Sequence, residues 1–286
     1  MSNAAAPREI GDALSPVARE VPQRLDLTVG SVFDATDGPD ELADRAAELV
    51  RLLHREVAHI VGHEPTIQSS CIVEGMELTK YTHATVVLTK NGTTLVIDPG
   101  AYTPNSAELV AATTAVLITH DHPDHFDVGI LTAALEAQPD LRVWAPASVA
   151  AALEGHDGRV VSVKAGDSFD AAGFEVVVFG EQHAVIHADL PLMENVAYLV
   201  DGNVYHPGDS YFVPGVAVET LLVPTSGPWA KLGEGVDFVR AVTPTRSIQI
   251  HDLMLSDAGR GSFAEFMGNL TGVPLTTLET GTTITV

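Results

Sequence analysis

The segment Thr119-His120-Asp121-His122-Pro123-Asp124-His125-Phe126 sets His120, His122, Asp124 and His125 within six consecutive positions. A divalent cation of the zinc type wants such a mixed nitrogen and oxygen ligand set. The run Ala115 to Thr119 before it is short, apolar and β-rich, so it predicts a strand ending at His120. Asp127 then offers an N-cap to a helix through about Ala137. The cluster therefore falls in a strand-to-helix loop. There His120 and His122 can face one ion while Asp124 and His125 turn toward a second. The bland alternative is a solvated polar loop.

One loop supplies too few ligands, so the reading demands partners later in the chain, at the ends of other strands. His183 follows the strand-like Phe174 to Phe179, Asp209 sits in Tyr205-His206-Pro207-Gly208-Asp209-Ser210 after a strand, and His251 ends Ser247 to Ile250. His187 lies four positions after His183, and either could be the ligand of that segment, with His183 preferred. His206 reads as structural, orienting the Asp209 loop, and Asp98 and Asp121 read as partners of imidazoles rather than ligands. Trp229 and Lys231, in a segment that follows a strand ending near Val223, are candidate substrate contacts. Their bland readings are a tryptophan packed on the domain and a solvated lysine.

Residues 1–36 hold the breakers Pro7, Pro16 and Pro22 and read as an arm, while Leu42, Ala46, Leu49, Leu53, Val57 and Ile60 recur at helical spacing up to Gly62. That amphipathic helix is expected to pack on the main domain or on a second copy of the chain, as in a homo-oligomer. His59 and His63 on it read as surface. From Met76 the texture turns strand-rich, opening with a hairpin of Thr85 to Lys90 and Thr93 to Asp98 around Asn91-Gly92. Strands follow at Arg142 to Trp144, Phe174 to Phe179, Ala197 to Val200, Thr220 to Val223 and Ser247 to Ile250, with helices near Val236 to Val242 and Ser262 to Leu270. Two strand-rich halves, each with helices after its strands, predict an α/β fold of two face-to-face sheets covered by helices, a four-layered αββα sandwich. The division is residues 1–75 as arm and helix and 76–286 as the main domain.

Charge narrows the partners. With 15 Lys+Arg against 38 Asp+Glu, a formal net charge of −23 repels nucleic acid and anionic bilayers. A small anionic substrate stays open, because bound cations can make one pocket locally positive. No apolar run approaches the length of a membrane span. The one cysteine, Cys71, cannot pair within the chain, and the first residues show no secretory apolar segment, so the cytoplasm is the expected location.

The ordered set HxHxDH, separate His, Asp in a Gly-Asp context, final His resembles the metallo-β-lactamase superfamily over roughly Met76 to Val286, including the turn Asp98-Pro99-Gly100. Within it the chain is most similar to the branch of ascorbate-6-phosphate lactonase-like proteins and N-acylphosphatidylethanolamine phospholipase D, where His83 of Thr82-His83-Ala84 has a counterpart. His83 thereby joins His187, Trp229 and Lys231 as a candidate substrate contact. The resemblance implies that His120, His122 and His183 hold one metal, that Asp124, His125 and His251 hold the other, and that Asp209 bridges them. Zinc is the expected ion, with manganese or iron as alternatives. The implied chemistry is attack by activated water on an ester-type bond, a lactone or a phosphodiester, of a small molecule, with Asp124 and Asp209 as the catalytic carboxylates. Rivals are a mononuclear iron dioxygenase of the same fold, a transfer-RNA-processing nuclease disfavoured by the acidic chain, and a protein in which metal only stabilises the fold. If the division at 75/76 is right, a chain lacking residues 1–75 keeps its metal content by elemental analysis; loss of both ions on truncation would contradict it.

Overall fold

The computed structural model describes residues 75–156 and 158–286. The amphipathic helix, His59, His63 and Cys71 lie outside the described residues.

β1 (Glu77–Lys80), β2 (Val86–Lys90) and β3 (Thr93–Ile97) form an antiparallel meander. Asn91 and Gly92 both take positive φ, 50° and 75°, which matches the twist of the strands they join and pairs Lys90 with Thr93. The chain then switches to parallel crossovers. α1 (Ser106–Ala111) leads to β4 (Ala115–Leu117), α2 (Val128–Ala137) to β5 (Arg142–Ala145), and α3 (Ala147–Ala152) to β6 (Val160–Ser162). Asp127 caps α2 by accepting the Ile130 amide at 3.0 Å. The last strand, β14 (Thr282–Thr285), returns to β1 and completes a seven-stranded sheet in the order β14-β1-β2-β3-β4-β5-β6.

The second sheet holds β7 (Ser168–Ala171), β8 (Phe174–Phe179), β9 (Ala197–Val200), β10 (Val204–His206), β11 (Thr220–Pro224), β12 (Arg246–Ile250) and β13 (Leu275–Thr276). Its order is β13-β12-β11-β10-β9-β8-β7. α4 (Leu232–Val242) connects β11 to β12, and α5 (Asp257–Thr271) connects β12 to β13.

Successive apolar residues on the central strands go to opposite faces, because both faces of each sheet are covered. Leu95, Ile97 and Leu117 meet Val176, Tyr198, Leu222 and Ile248 between the sheets. Val96, Val116 and Ile118 point the other way, onto Leu131 and Leu135 of α2. Leu199, Leu221 and Val223 turn outward onto Val236 and Val239 of α4 and Met267 of α5. The architecture is the expected αββα sandwich.

Several short elements go beyond the sequence reading: β1, β6, β7, β13, β14, α1 and α3 span two to six residues each, too few for a period to declare itself. α4 and α5 begin earlier than expected, at Leu232 and Asp257, because Gly233, Gly235, Gly259 and Gly261 dilute the helical signal of their first turns.

Strand direction creates the site. β3 and β4 run parallel, as do β10, β11 and β12, while two antiparallel steps make β1 parallel to β3 and β8 parallel to β10. The carboxyl ends of the first set gather at one edge of the first sheet, and those of the second at one edge of the other. Tyr198 ties the two sheets near this edge: its buried hydroxyl donates to the Ile118 carbonyl at 2.8 Å and lies 3.3 Å from that of Trp144. Tyr198→Phe keeps the ring but takes the donor from the Ile118 carbonyl, while the Trp144 carbonyl keeps the Ile118 amide, so equilibrium unfolding should show a loss of about 1–3 kcal/mol.

Candidate metal centre

Seven side chains expected from the sequence converge at these strand ends, together with His83. Their candidate ligand atoms fall into two groups, His120, His122, His183 and Asp209, and His83, Asp124, His125 and His251, with all such atoms in each group within 4.8 Å of one another. Asp209 also reaches the second group. Its Oδ1 lies 3.1 Å from His125 Nε2, and its Oδ2 lies 3.1 Å from His251 Nε2 and 3.3 Å from His183 Nε2.

The rings are oriented from behind. Thr119 Oγ1 donates to Asp98 Oδ2 at 2.7 Å, which leaves it to accept from His120 Nδ1 at 3.0 Å. His125 Nδ1 donates to the same Asp98 oxygen at 2.7 Å, and His183 Nδ1 donates to the Ala184 carbonyl at 2.6 Å. With its proton held at Nδ1, each of these three imidazoles presents the Nε2 lone pair to the shared space. His120 Nε2 there lies 3.0 Å from His122 Nδ1.

Backbone geometry completes the assembly. His83, Asp98 and His251 have φ of 62°, 52° and 51°, the left-handed region that costs a non-glycine residue about 1–2 kcal/mol. Each is locked: His251 N donates to His83 O at 2.9 Å, Ser226 N to His251 O at 2.9 Å, and Asp98 N to Leu117 O at 3.0 Å. A Cβ on Gly100 would sit 2.1 Å from the Asp124 carbonyl carbon, so only glycine lets the Asp98-Pro99-Gly100 turn lie against the Asp124-His125 backbone.

Of the expected supporting residues, Asp98 is buried and bonds Thr119 and His125, whereas Asp121 has an oxygen without a hydrogen-bond partner among the described residues. His206 donates from Nε2 to Ala84 O at 2.9 Å and accepts the Gly208 amide at Nδ1, pinning the turn that carries Asp209. His187 and His183 part company: His183 is buried in the cluster, while His187 is exposed and lines a neighbouring cavity.

The structure places three of the candidate substrate contacts as follows. His83 is buried inside the second group, its Nε2 2.9 Å from Asp124 Oδ2, because the β1–β2 loop folds over the cluster. Trp229 is buried, and its indole N–H donates to Asp209 Oδ2 at 3.0 Å. Lys231 is solvated and paired with Glu234 at 2.6 Å, as its position before α4 dictates.

Asn195 went unnoticed in the sequence. Its Oδ1 accepts the Asp209 amide at 2.9 Å and its Nδ2 donates to Pro207 O at 2.9 Å, gripping the Asp209 turn from both sides. The only local hint was Gly208: at φ 60° its absent Cβ leaves room that Asn195 Oδ1 uses.

Burial lowers the pKa of His120, His122 and His83 from the ordinary imidazole value, with His125 adding to the effect at His120. At His125 and His251 burial also opposes protonation, but the charge of Asp209 outweighs it, helped by Asp98 at His125 and Asp124 at His251. His125 is raised well above its usual value, and His251 to about 8. Burial likewise works against ionised Asp124 and Asp209, yet the surrounding imidazoles hold both well below the usual carboxylate range. The pocket is thus a negative field that draws in positive charge.

His125 Nε2, His183 Nε2, His251 Nε2 and Asp209 Oδ1 are buried and have no hydrogen-bond partner among the described residues. Converging, unpartnered lone pairs, with His125 and His183 oriented through their Nδ1–H bonds, fit a divalent cation, which supplies what each lacks.

A sandwich of two sheets with paired His/Asp groups at its strand ends belongs to the metal-binding α/β class. A family model described as "Beta-lactamase superfamily domain" matches residues 77–251, more than half of the chain, and the chain belongs to that superfamily. Protein Rv0786c of Mycobacterium tuberculosis is 38% identical over 209 residues, 71% of this chain and 95% of its own. Igni18, a metallo hydrolase from the archaeon Ignicoccus hospitalis, has a similar structure: TM-score 0.58 at 18% identity, over 74% of this chain and 98% of that one. CmlA, a diiron β-hydroxylase from Streptomyces venezuelae, is also similar, at TM-score 0.58 and 18% identity, over 87% of this chain and 60% of CmlA. These two likenesses speak for the fold.

Protons and cations should compete for the centre. In chelated protein, protonated His251 adds stability that is complete below its unfolded pKa near 6.5 and is lost as pH rises through about 8. The groups with lowered values act below that window. The Tm of chelated protein should therefore fall between about pH 6.5 and 9 while that of metal-loaded protein does not; a flat chelated profile would show that His251 carries no such proton.

Proposed function

We propose that the chain is a hydrolase that uses two divalent cations, held by His120, His122 and His183 on one side and by Asp124, His125 and His251 on the other, with Asp209 between them. The observation that carries the reading is the set of buried, unpartnered Nε2 atoms of His125, His183 and His251 facing the two oxygens of the Asp209 carboxylate. Two such cations would lower the pKa of a water molecule and polarise the bond under attack.

The chain's own residues set the rest. Asp209 is buried, and its two oxygens face different histidines, which suits a carboxylate shared between cations. Trp229 fixes the rotation of that carboxylate through its N–H. Asp98 keeps the proton of His125 on Nδ1, away from the centre. Asp124 is less deeply buried than Asp209 and bonds His83, so it is the carboxylate best placed to accept a proton and pass it to a leaving oxygen. His83 holds Asp124 in position and is a candidate additional ligand of the second group. An ester-type bond is the target this chemistry favours, with zinc the expected ion and manganese or iron as alternatives. Open redox chemistry, as in an iron dioxygenase, would use one complete group and leave the other without a task, and both groups are complete here.

Elemental analysis of loaded protein should give close to two ions per chain, and chelation should abolish hydrolysis. Asp209→Asn keeps the size but not the charge and offers only one good metal-facing oxygen. Its metal content should drop toward one and turnover should fall by at least about two orders of magnitude, with the far-ultraviolet dichroism unchanged. Two ions and near-normal turnover in this variant would remove Asp209 from the bridging position.

A further inference from the structure

The loop between β8 and β9 carries His183 and is pinched at its neck. Gln182 and Glu194 form an isolated bridge, His183 N donates to Met193 O at 2.9 Å, and Ala184 N donates to Asp209 O at 2.8 Å. Above the neck, a cavity of about 330 Å³ is walled by His122 and His183 at one end and by Val185, Ile186, Leu190 and Leu192 beyond them. Among the described residues its lining contains no lysine or arginine. Val185, Leu190 and Leu192 are nonetheless 63%, 52% and 59% exposed, three large aliphatic side chains turned to water on one short loop. Tyr102, Phe212 and Leu253 are exposed on the loops that follow Asp98, Asp209 and His251. An apolar surface that begins at two of the centre's imidazoles marks a binding groove.

We propose that this cavity holds an uncharged, unbranched apolar chain of the substrate, with the bond to be cleaved at its His122 and His183 end. The proposal rests on the hydrolase reading above and narrows it. An anionic arm would meet no cationic side chain here, on a chain whose net charge is −23. A hydrocarbon arm would instead cover the aliphatic side chains that water now touches. For an aliphatic ester, hydrolysis puts the hydroxyl of water on the carbonyl carbon and its proton on the departing alcohol oxygen, with no redox partner.

The test uses the full, metal-loaded chain and two readouts. In the first, calorimetry measures the binding of straight-chain primary amides, hexanamide to decanamide. Kd should fall about fourfold for each added methylene until the cavity is filled. Leu190→Asp and, separately, Leu192→Asp should abolish that dependence at unchanged metal content; both side chains are exposed, so the fold should tolerate the change. A Kd independent of chain length, or a dependence that survives both substitutions, would overturn the proposal, leaving the groove to another occupant such as residues 1–74 or a second copy of the chain. Tighter binding of inorganic phosphate than of any amide would also overturn it. The second readout is hydrolysis of acetyl and decanoyl nitrophenyl esters. Hydrolysis that does not discriminate between them, with no chain-length dependence in binding, would sink this proposal and spare the hydrolase. Chain-length-dependent binding without hydrolysis of either ester would spare the cavity and sink the hydrolase.

Discussion

A carboxylate taken out of water costs several kcal/mol unless donors or opposite charge replace its hydration. Asp98 and Asp209 are both buried, and the structure treats them differently. Asp98 receives the Thr119 amide, the Thr119 hydroxyl and His125 Nδ1, so its charge is compensated inside the chain. Asp209 receives one indole N–H, and its Oδ1 has no hydrogen-bond partner among the described residues. Its remaining compensation has to come from charge drawn into the pocket, either protons on His125 and His251 or cations. Much of the local structure follows from keeping that carboxylate buried and fixed. Asn195 and His206 brace its turn, and Trp229 sets its rotation.

The sandwich provides the rigidity this requires. Apolar residues on both faces of the central strands anchor the strand ends, and three residues in the left-handed region, His83, Asp98 and His251, are held there by hydrogen bonds to neighbouring strands and loops. Their strain is small beside the burial that surrounds them. Stability is thus concentrated in the layers, and the loops at one edge can be specialised for chemistry.

How much of this could be read from the chain differs by element. The cluster His120 to His125 is local, so its residue types and spacing disclosed it directly, as did the cap Asp127 and the turn Asn91-Gly92, where one or two residues dictate the geometry. His183, Asp209 and His251 were legible as a set because each follows a strand-like run. Asn195 was not, since its role comes from a residue fourteen positions away in sequence and brought close only by strand pairing. His83 was read as a substrate contact because nothing local reveals that its loop folds over the cluster. At Lys231 the strand-end position suggested the site, and the side chain takes the other reading its sequence left open, leaving toward solvent and Glu234. Short strands such as β6 and β13 escaped notice because two or three residues carry no periodicity.

The loop that carries His183 is also the wall of the apolar cavity, and it is pinned to Asp209 through the Ala184 amide. One ordered segment therefore serves two occupants. Were a group at Leu190 and Leu192 and a cation at His183 each to restrict this loop, each would change the affinity of the other by the same factor. Metal supply would then act as an effector of substrate capture, and substrate would slow the escape of metal, without a separate regulatory site.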